Sequence, residues 1–192
     1  MKNRGSGSKA KGAAFERTVC QQLSLWVTGG ARSDCFWRSA MSGGRATVGR
    51  ARGRDHARQA GDVSAVAPEG NALVSRYYIE CKHYRSLRLD RFLLGSGPLA
   101  LFWKNTVREA RHYRREPLLI ARQNGSQTLL LSEHDFGVHA TNPSTLFLAT
   151  VRGADGDLVY VFSFDQLMRT VCVLPPHQQS RKQPRRKDND PQ

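Results

Sequence analysis

The order of patterns along the chain predicts one mixed α/β (α+β) domain. A helix comes first, then three short strands, a second helix and a run of further strands. Two bulk observations agree. The chain has 192 residues, enough for one domain with its own core. Its hydrophobic content, 39%, is somewhat low for a globular chain, which points to polar or disordered ends. The expected organisation is a disordered basic segment over 1–9, one domain over 10–174 and a disordered basic tail over 175–192.

The first helix is expected over residues 10–27, where Ala13, Ala14, Val19, Leu23 and Trp26 recur at roughly helical spacing and Gly29-Gly30 ends the run. A short strand is expected from Cys35 to Ala40. Residues 42–60 form a long loop rich in Gly and Arg with almost no apolar content, a length unusual for a loop without function or disorder. Residues 62–67 and 76–82 are expected to form a hairpin turning at Pro68-Glu69-Gly70-Asn71. An amphipathic helix follows over 99–115, with Leu101, Phe102, Val107 and Ala110 toward the core and Arg108, Arg111, Arg114 and Arg115 outward. Leu118 to Ala121 is an apolar run suited to a buried strand. Thr128 to Leu131, Leu146 to Val151 and Leu158 to Phe162 read as strands, and Asp165 to Val171 as a short helix with Asp165 as its cap. Trp37 and Trp103 read as core residues, with stacking on a base as the less favoured alternative.

The net charge is +14 and the isoelectric point about 10.4. Three segments, 1–11, 45–58 and 175–192, together carry +11 of it. Such clustering in Gly-rich or Pro-rich segments points to a surface that seeks phosphate, with Arg45, Arg50, Arg52, Arg54 and Arg58 as the main candidates in the middle segment. Lys104, Arg108 and Arg111 recur at near-helical spacing and share a face, either toward nucleic acid or simply solvated. The four cysteines, Cys20, Cys35, Cys81 and Cys172, fit neither a Cys-x-x-Cys pair nor zinc-finger spacing, and are expected to be reduced in a cytoplasmic protein. No apolar stretch is long enough to span a membrane, and the N-terminal residues have no apolar segment of the secretory kind.

The most informative residues are Asp62 and the triplet Glu80-Cys81-Lys82, which closes the apolar run Tyr77-Tyr78-Ile79. A strand puts every second side chain on one face, so Glu80 and Lys82 point one way and Ile79 and Cys81 the other. The expected hairpin brings Asp62 beside them. Two carboxylates then suit Mg²⁺ or Mn²⁺, which lowers the pKa of a bound water and polarises a phosphate. The amine of Lys82 adds positive charge on the same face and can orient the attacking water. The carbonyl of Cys81 lies between them as a further oxygen donor.

Gly61-Asp62 followed by Glu80-Cys81-Lys82 resembles the PD-(D/E)XK nuclease signature, with Gly61 where Pro often stands. Glu16, within Lys11-Gly12-Ala13-Ala14-Phe15-Glu16-Arg17, fits the place of the glutamate that many members carry on the first helix. This run is similar to the opening of Holliday-junction-resolvase-like members. The resemblance covers roughly residues 10–122. It implies a restriction-endonuclease-like core, a central mixed sheet flanked by helices, with Mg²⁺ as cofactor and DNA cleavage as activity. It implies Asp62 and Glu80 as metal ligands, Lys82 as the catalytic lysine and Glu16 as an additional ligand or organiser.

The function expected is therefore Mg²⁺-dependent endonucleolytic hydrolysis of DNA phosphodiester bonds, on branched or otherwise structured DNA among other substrates. A homodimer is expected, because two-strand cleavage needs two sites. A non-catalytic nucleic-acid-binding protein on the same fold is the alternative, and RNA is a further candidate partner. His83 and Tyr84 read as rim residues. Glu133-His134-Asp135 reads as a turn or helix start, because consecutive residues rarely converge on one ion. Asp55 and His56 read as loop residues within the arginine cluster.

Overall fold

The computed structural model describes residues 4–39, 60–136, 147–152 and 156–171. The first helix, α1 (Arg4–Val27), begins six residues before the expected start, so residues 4–9 belong to it. Two short strands, β1 (Phe36–Arg38) and β2 (Val63–Ala65), pair antiparallel as a small separate sheet. A single 3-10 turn (Pro68–Gly70) and the helix α2 (Asn71–Arg76) then lead into β3 (Tyr77–Tyr84). The chain continues through α3 (Leu89–Phe92), α4 (Gly97–His112), β4 (Glu116–Gln123), β5 (Thr128–Ser132), β6 (Phe147–Arg152), β7 (Leu158–Ser163) and α5 (Phe164–Thr170).

The main sheet has five strands in the order β3-β4-β5-β7-β6. Its β3–β4 pairing is parallel and the other three are antiparallel, so the sheet is mixed. Helices cover both faces. On one side, Phe15, Val19, Leu23 and Trp26 of α1 and Leu167 of α5 pack on Ile79, Leu118, Ile120, Leu130 and Phe162. On the other, Phe92 of α3 and Leu99 and Trp103 of α4 pack on Leu119, Ala121, Leu129, Leu131 and Val161. The strand β4 contributes alternate residues to both cores, which is why its sequence is an unbroken apolar run.

Several expected details differ. No hairpin joins residues 62–67 to 76–82. The strand β2 pairs with β1, and β3 pairs with β4. Pro68, a turn signal in the sequence, instead sits in the first turn of the 3-10 segment, where its missing N–H and fixed φ are no handicap. Trp37 is 66% exposed, whereas Trp103 is buried as expected. Leu101 is also exposed, and the buried positions of α4 are Leu99, Trp103, Thr106 and Ala110, shifted around the helix from the expected stripe. Asp165 is not the cap of α5. Ser163 holds that position, and the Asp165 carboxylate accepts a hydrogen bond from Gln22 of α1 at 3.2 Å.

Candidate active site

The candidate residues meet at the free edge of the main sheet. The strand β3 is an edge strand, with β4 on one side only. Along an extended strand, the N–H and C=O of one residue face the same side, and alternate residues face opposite sides. Ile79 and Cys81 turn theirs toward the open edge, and Asp62 fills it. The Asp62 N–H donates to the Ile79 carbonyl at 2.8 Å, and the Cys81 N–H donates to Asp62 Oδ2 at 2.9 Å. The Ser39 N–H, just past β1, donates to the Asp62 carbonyl at 2.9 Å. The juxtaposition of Asp62 with Glu80-Cys81-Lys82 is thus present, but it is built by these edge contacts rather than by a hairpin.

Gly61 makes this approach feasible. Its φ is +88°, and a Cβ there would lie 2.6 Å from the Ile79 carbonyl oxygen. A side chain would meet both a disfavoured conformation and a backbone clash. Proline, with φ fixed near −65°, could not adopt this conformation, which is the physical reason for Gly at this position.

The electrostatics follow from burial. Asp62 is only 7% exposed. Desolvation, then the neighbouring charge of Glu80, pushes its carboxyl up to about 7, partly offset by Lys82 and the Cys81 N–H. Glu80 is half-buried. Its carboxylate accepts from the Lys82 ammonium and, at 3.3 Å, from the Tyr78 hydroxyl. Burial alone would lower the Lys82 pKa, but the charges of Glu80 and Asp62 outweigh it and the net shift is upward. Lys82 therefore stays charged at neutral pH. Burial also raises the Tyr78 phenol, so this hydroxyl remains a donor.

The other named residues fall into three groups. Glu16 faces the same region from α1, but its carboxylate is engaged by Arg38 of β1 at 2.5 Å. Its charge contributes to the upward shift of Asp62 without a direct contact. The Cys81 thiol is buried on the α1 side, with its pKa raised well above the ordinary value, so the donor available at this residue is its edge-facing carbonyl. Lys104, Arg108 and Arg111 lie exposed on α4; Arg108 pairs with Glu109 at 3.3 Å and Arg111 with Glu133 at 2.6 Å. Arg45, Arg50, Arg52, Arg54 and Arg58, together with Asp55 and His56, lie outside the described residues.

Two contributors were not singled out from sequence. Tyr78 lies two residues before Glu80, and the same alternation that pairs Glu80 with Lys82 places it on their face. Arg38 carried no local signal, since its pairing with Glu16 depends on how β1 packs against α1. His83 packs its ring against Phe15 at 5.3 Å, and Tyr84 is exposed with its ring edge-on to Phe102 at 5.1 Å.

Among the described residues, no three of His, Cys, Asp and Glu converge closely enough to form a metal cluster. The donors available at this edge are hard oxygens, the Asp62 and Glu80 carboxylates and the Cys81 backbone carbonyl, and burial together with the Glu80 charge disfavours the ionised form of Asp62. Both features suit a small divalent cation rather than a soft or redox metal.

A mixed five-stranded sheet covered by helices on both faces, with Glu80 on an edge strand and Asp62 docked against it, defines an α+β core of the restriction-endonuclease-like class. The chain belongs to the family described as "Phage putative PDDEXK endonuclease", whose model matches residues 7–168. That match runs well past residue 122 and takes in the strands through β7 and most of α5. No curated protein and no solved structure matches the chain. No helix among the described residues is long and apolar enough to cross a membrane.

Proposed function

We propose that the protein is a divalent-metal-dependent endonuclease that hydrolyses DNA phosphodiester bonds. One observation carries this reading. Asp62, buried and anchored through the Cys81 N–H, lies next to Glu80 and the charged Lys82 on one strand edge, in a chain of this family. Asp62 and Glu80 would hold Mg²⁺ or Mn²⁺ with the Cys81 carbonyl. The ion would supply an activated water and charge neutralisation at the phosphate. Glu16, with Arg38 as its partner, would tune the charge at that site from α1.

The protein groups have separate tasks. The Cys81 N–H fixes the Asp62 carboxylate, so that it is already oriented before any ligand arrives. The Tyr78 hydroxyl fixes Glu80. Lys82, held charged by its acidic neighbours, presents a cation where negative charge grows on the phosphate and can orient the attacking water. Arg45, Arg50, Arg52, Arg54, Arg58, Lys104, Arg108 and Arg111 would bind the DNA backbone through charge rather than sequence. Branched or structured DNA fits such shape-directed binding, and a homodimer would place one site on each strand.

The test is a cleavage assay on supercoiled, linear, single-stranded and four-way-junction DNA with Mg²⁺ or Mn²⁺, using EDTA and Asp62→Asn, which keeps the bond from Cys81, as controls. Metal-dependent cutting by the wild type that is absent in the variant is expected. Binding without cutting on every substrate and with both metals would replace this reading with a non-catalytic DNA-binding protein.

A further inference from the structure

Of the three tryptophans in the chain, Trp26 and Trp103 are buried, but Trp37 presents most of its indole to solvent. The position belongs to a pocket of about 480 Å³ between α1 and β1, lined by Arg17, Cys20, Gln21, Phe36, Trp37 and Arg38 among others. The volume lies within the range of small-molecule sites. The composition is mixed in a useful way. The indole is the exposed apolar surface, over the buried Phe36 and Cys20; the Gln21 amide carries both donors and an acceptor, Asp34 is a carboxylate paired with Arg32 at 3.0 Å, and Arg17 is an exposed cation with no carboxylate partner among the described residues.

The pocket also adjoins the candidate active site. Trp37 pairs with Ser64 of β2, two residues after Asp62. Strand spacing and rise place the two Cα atoms about 8 Å apart. The pocket wall at Arg38 is tied to Glu16, whose charge is felt at Asp62.

We propose that this pocket binds an unpaired nucleobase of the DNA strand near the cut, with the Trp37 indole stacked on the base and Arg17 on an adjacent phosphate. The location relative to a cut rests on the nuclease reading above; the binding itself does not. An indole offers a stacking platform to any base, but in an intact duplex both base faces are already covered by neighbours. The site therefore selects DNA that offers unpaired nucleotides, such as gaps, overhangs and single strands. It supplies a physical basis for preferring structured DNA that charge on the backbone alone does not give.

The test uses the full chain in EDTA, where no cutting interferes. Tryptophan emission is followed during titration with a single strand, a gapped duplex and a fully paired duplex, alongside anisotropy of labelled DNA. Quenching by the single strand and the gapped duplex, but not by the paired duplex, is expected, and Trp37→Phe should remove that signal while keeping most of the affinity. Trp37→Ala should weaken single-strand and gapped binding roughly 10-fold and leave paired-duplex binding nearly unchanged. Arg17→Ala should weaken binding to all three by a few fold and flatten its salt dependence. Unchanged emission on saturation with the single strand, or an equal effect of Trp37→Ala on paired and unpaired DNA, would overturn the proposal. A chain that quenches yet never cuts with metal keeps the pocket and removes the nuclease; one that cuts without quenching does the reverse.

Discussion

The edge of β3 and the outer face of α4 carry the same kinds of charged side chain, yet only the first constrains what those charges can do. Asp62, Glu80 and Lys82 are buried or half-buried; Lys82 donates to Glu80, Asp62 accepts from the Cys81 N–H, and the ionisation of Asp62 and Lys82 is shifted by burial and by the charges beside them. Lys104, Arg108 and Arg111 stand in solvent, two of them paired to half-buried carboxylates, Glu109 and Glu133. Pairs whose cation is exposed contribute little, because water and salt screen them. A small fixed set in a partly dry site is suited to chemistry, and a row of solvated cations to attraction without orientation.

The sharpest way to separate the two regions is Lys82→Ala. Cleavage should fall by at least about 100-fold while DNA affinity stays within about threefold. Single-turnover cutting and anisotropy measure the two quantities, and an equal loss of both would take Lys82 out of the reaction. Next is the pH dependence at Asp62. Because the folded chain holds its proton up to about pH 7 while an unfolded aspartate releases it near pH 4, the group's contribution to stability is complete below about pH 4 and is lost as pH rises through about 7. Metal-free Asp62→Asn should therefore gain stability over the wild type between pH 5 and pH 8, by on the order of 2 kcal/mol. The asparagine oxygen can still accept from Cys81. Urea unfolding at the two pH values reads the difference, and the same gap at both would refute the assignment.

Gly61→Ala should cost about 1–3 kcal/mol, through a strained φ and a clash with the Ile79 carbonyl, and should lower cleavage because Asp62 moves with it. Full stability in a denaturant melt would show that the approach to β3 can relax. The smallest effect is expected on the other side of the comparison. Lys104→Ala with Arg108→Ala should reduce the salt slope of DNA binding by about 2 and leave the rate at saturating DNA unchanged. A slope equal to that of the wild type would leave this face of α4 as plain solvated surface.

Much of the architecture was legible in the sequence because long periodic runs state their own environment. The run Leu118 to Ala121 announces a strand covered on both faces, and the alternation from Ile79 to Lys82 assigns each side chain to its face. Short elements were harder. The strand β1 has three residues, too few for a period of two to reveal which side is covered, so Trp37 read as core. Pro68-Glu69-Gly70-Asn71 carries signals shared by hairpin turns and helix starts, and only the pairing partner of β2 decides between them. Within the site, the proximity of Asp62 to Glu80 and Lys82 was legible, whereas the engagement of Glu16 by Arg38 was not, because it depends on where two distant elements dock.

Asp62 also joins the small sheet to the large one. Its backbone and side chain together link Ser39 beyond β1 to Ile79 and Cys81 of β3. The proposed metal ligand is thus also a structural rivet, so replacing it is not structurally silent. A descendant that abandoned cutting would keep the joint with Asn at this position, which still accepts the Cys81 bond, but would loosen it with Ala. The identity of a replacement residue at this one position would then record whether a related chain lost only its chemistry or its architecture as well.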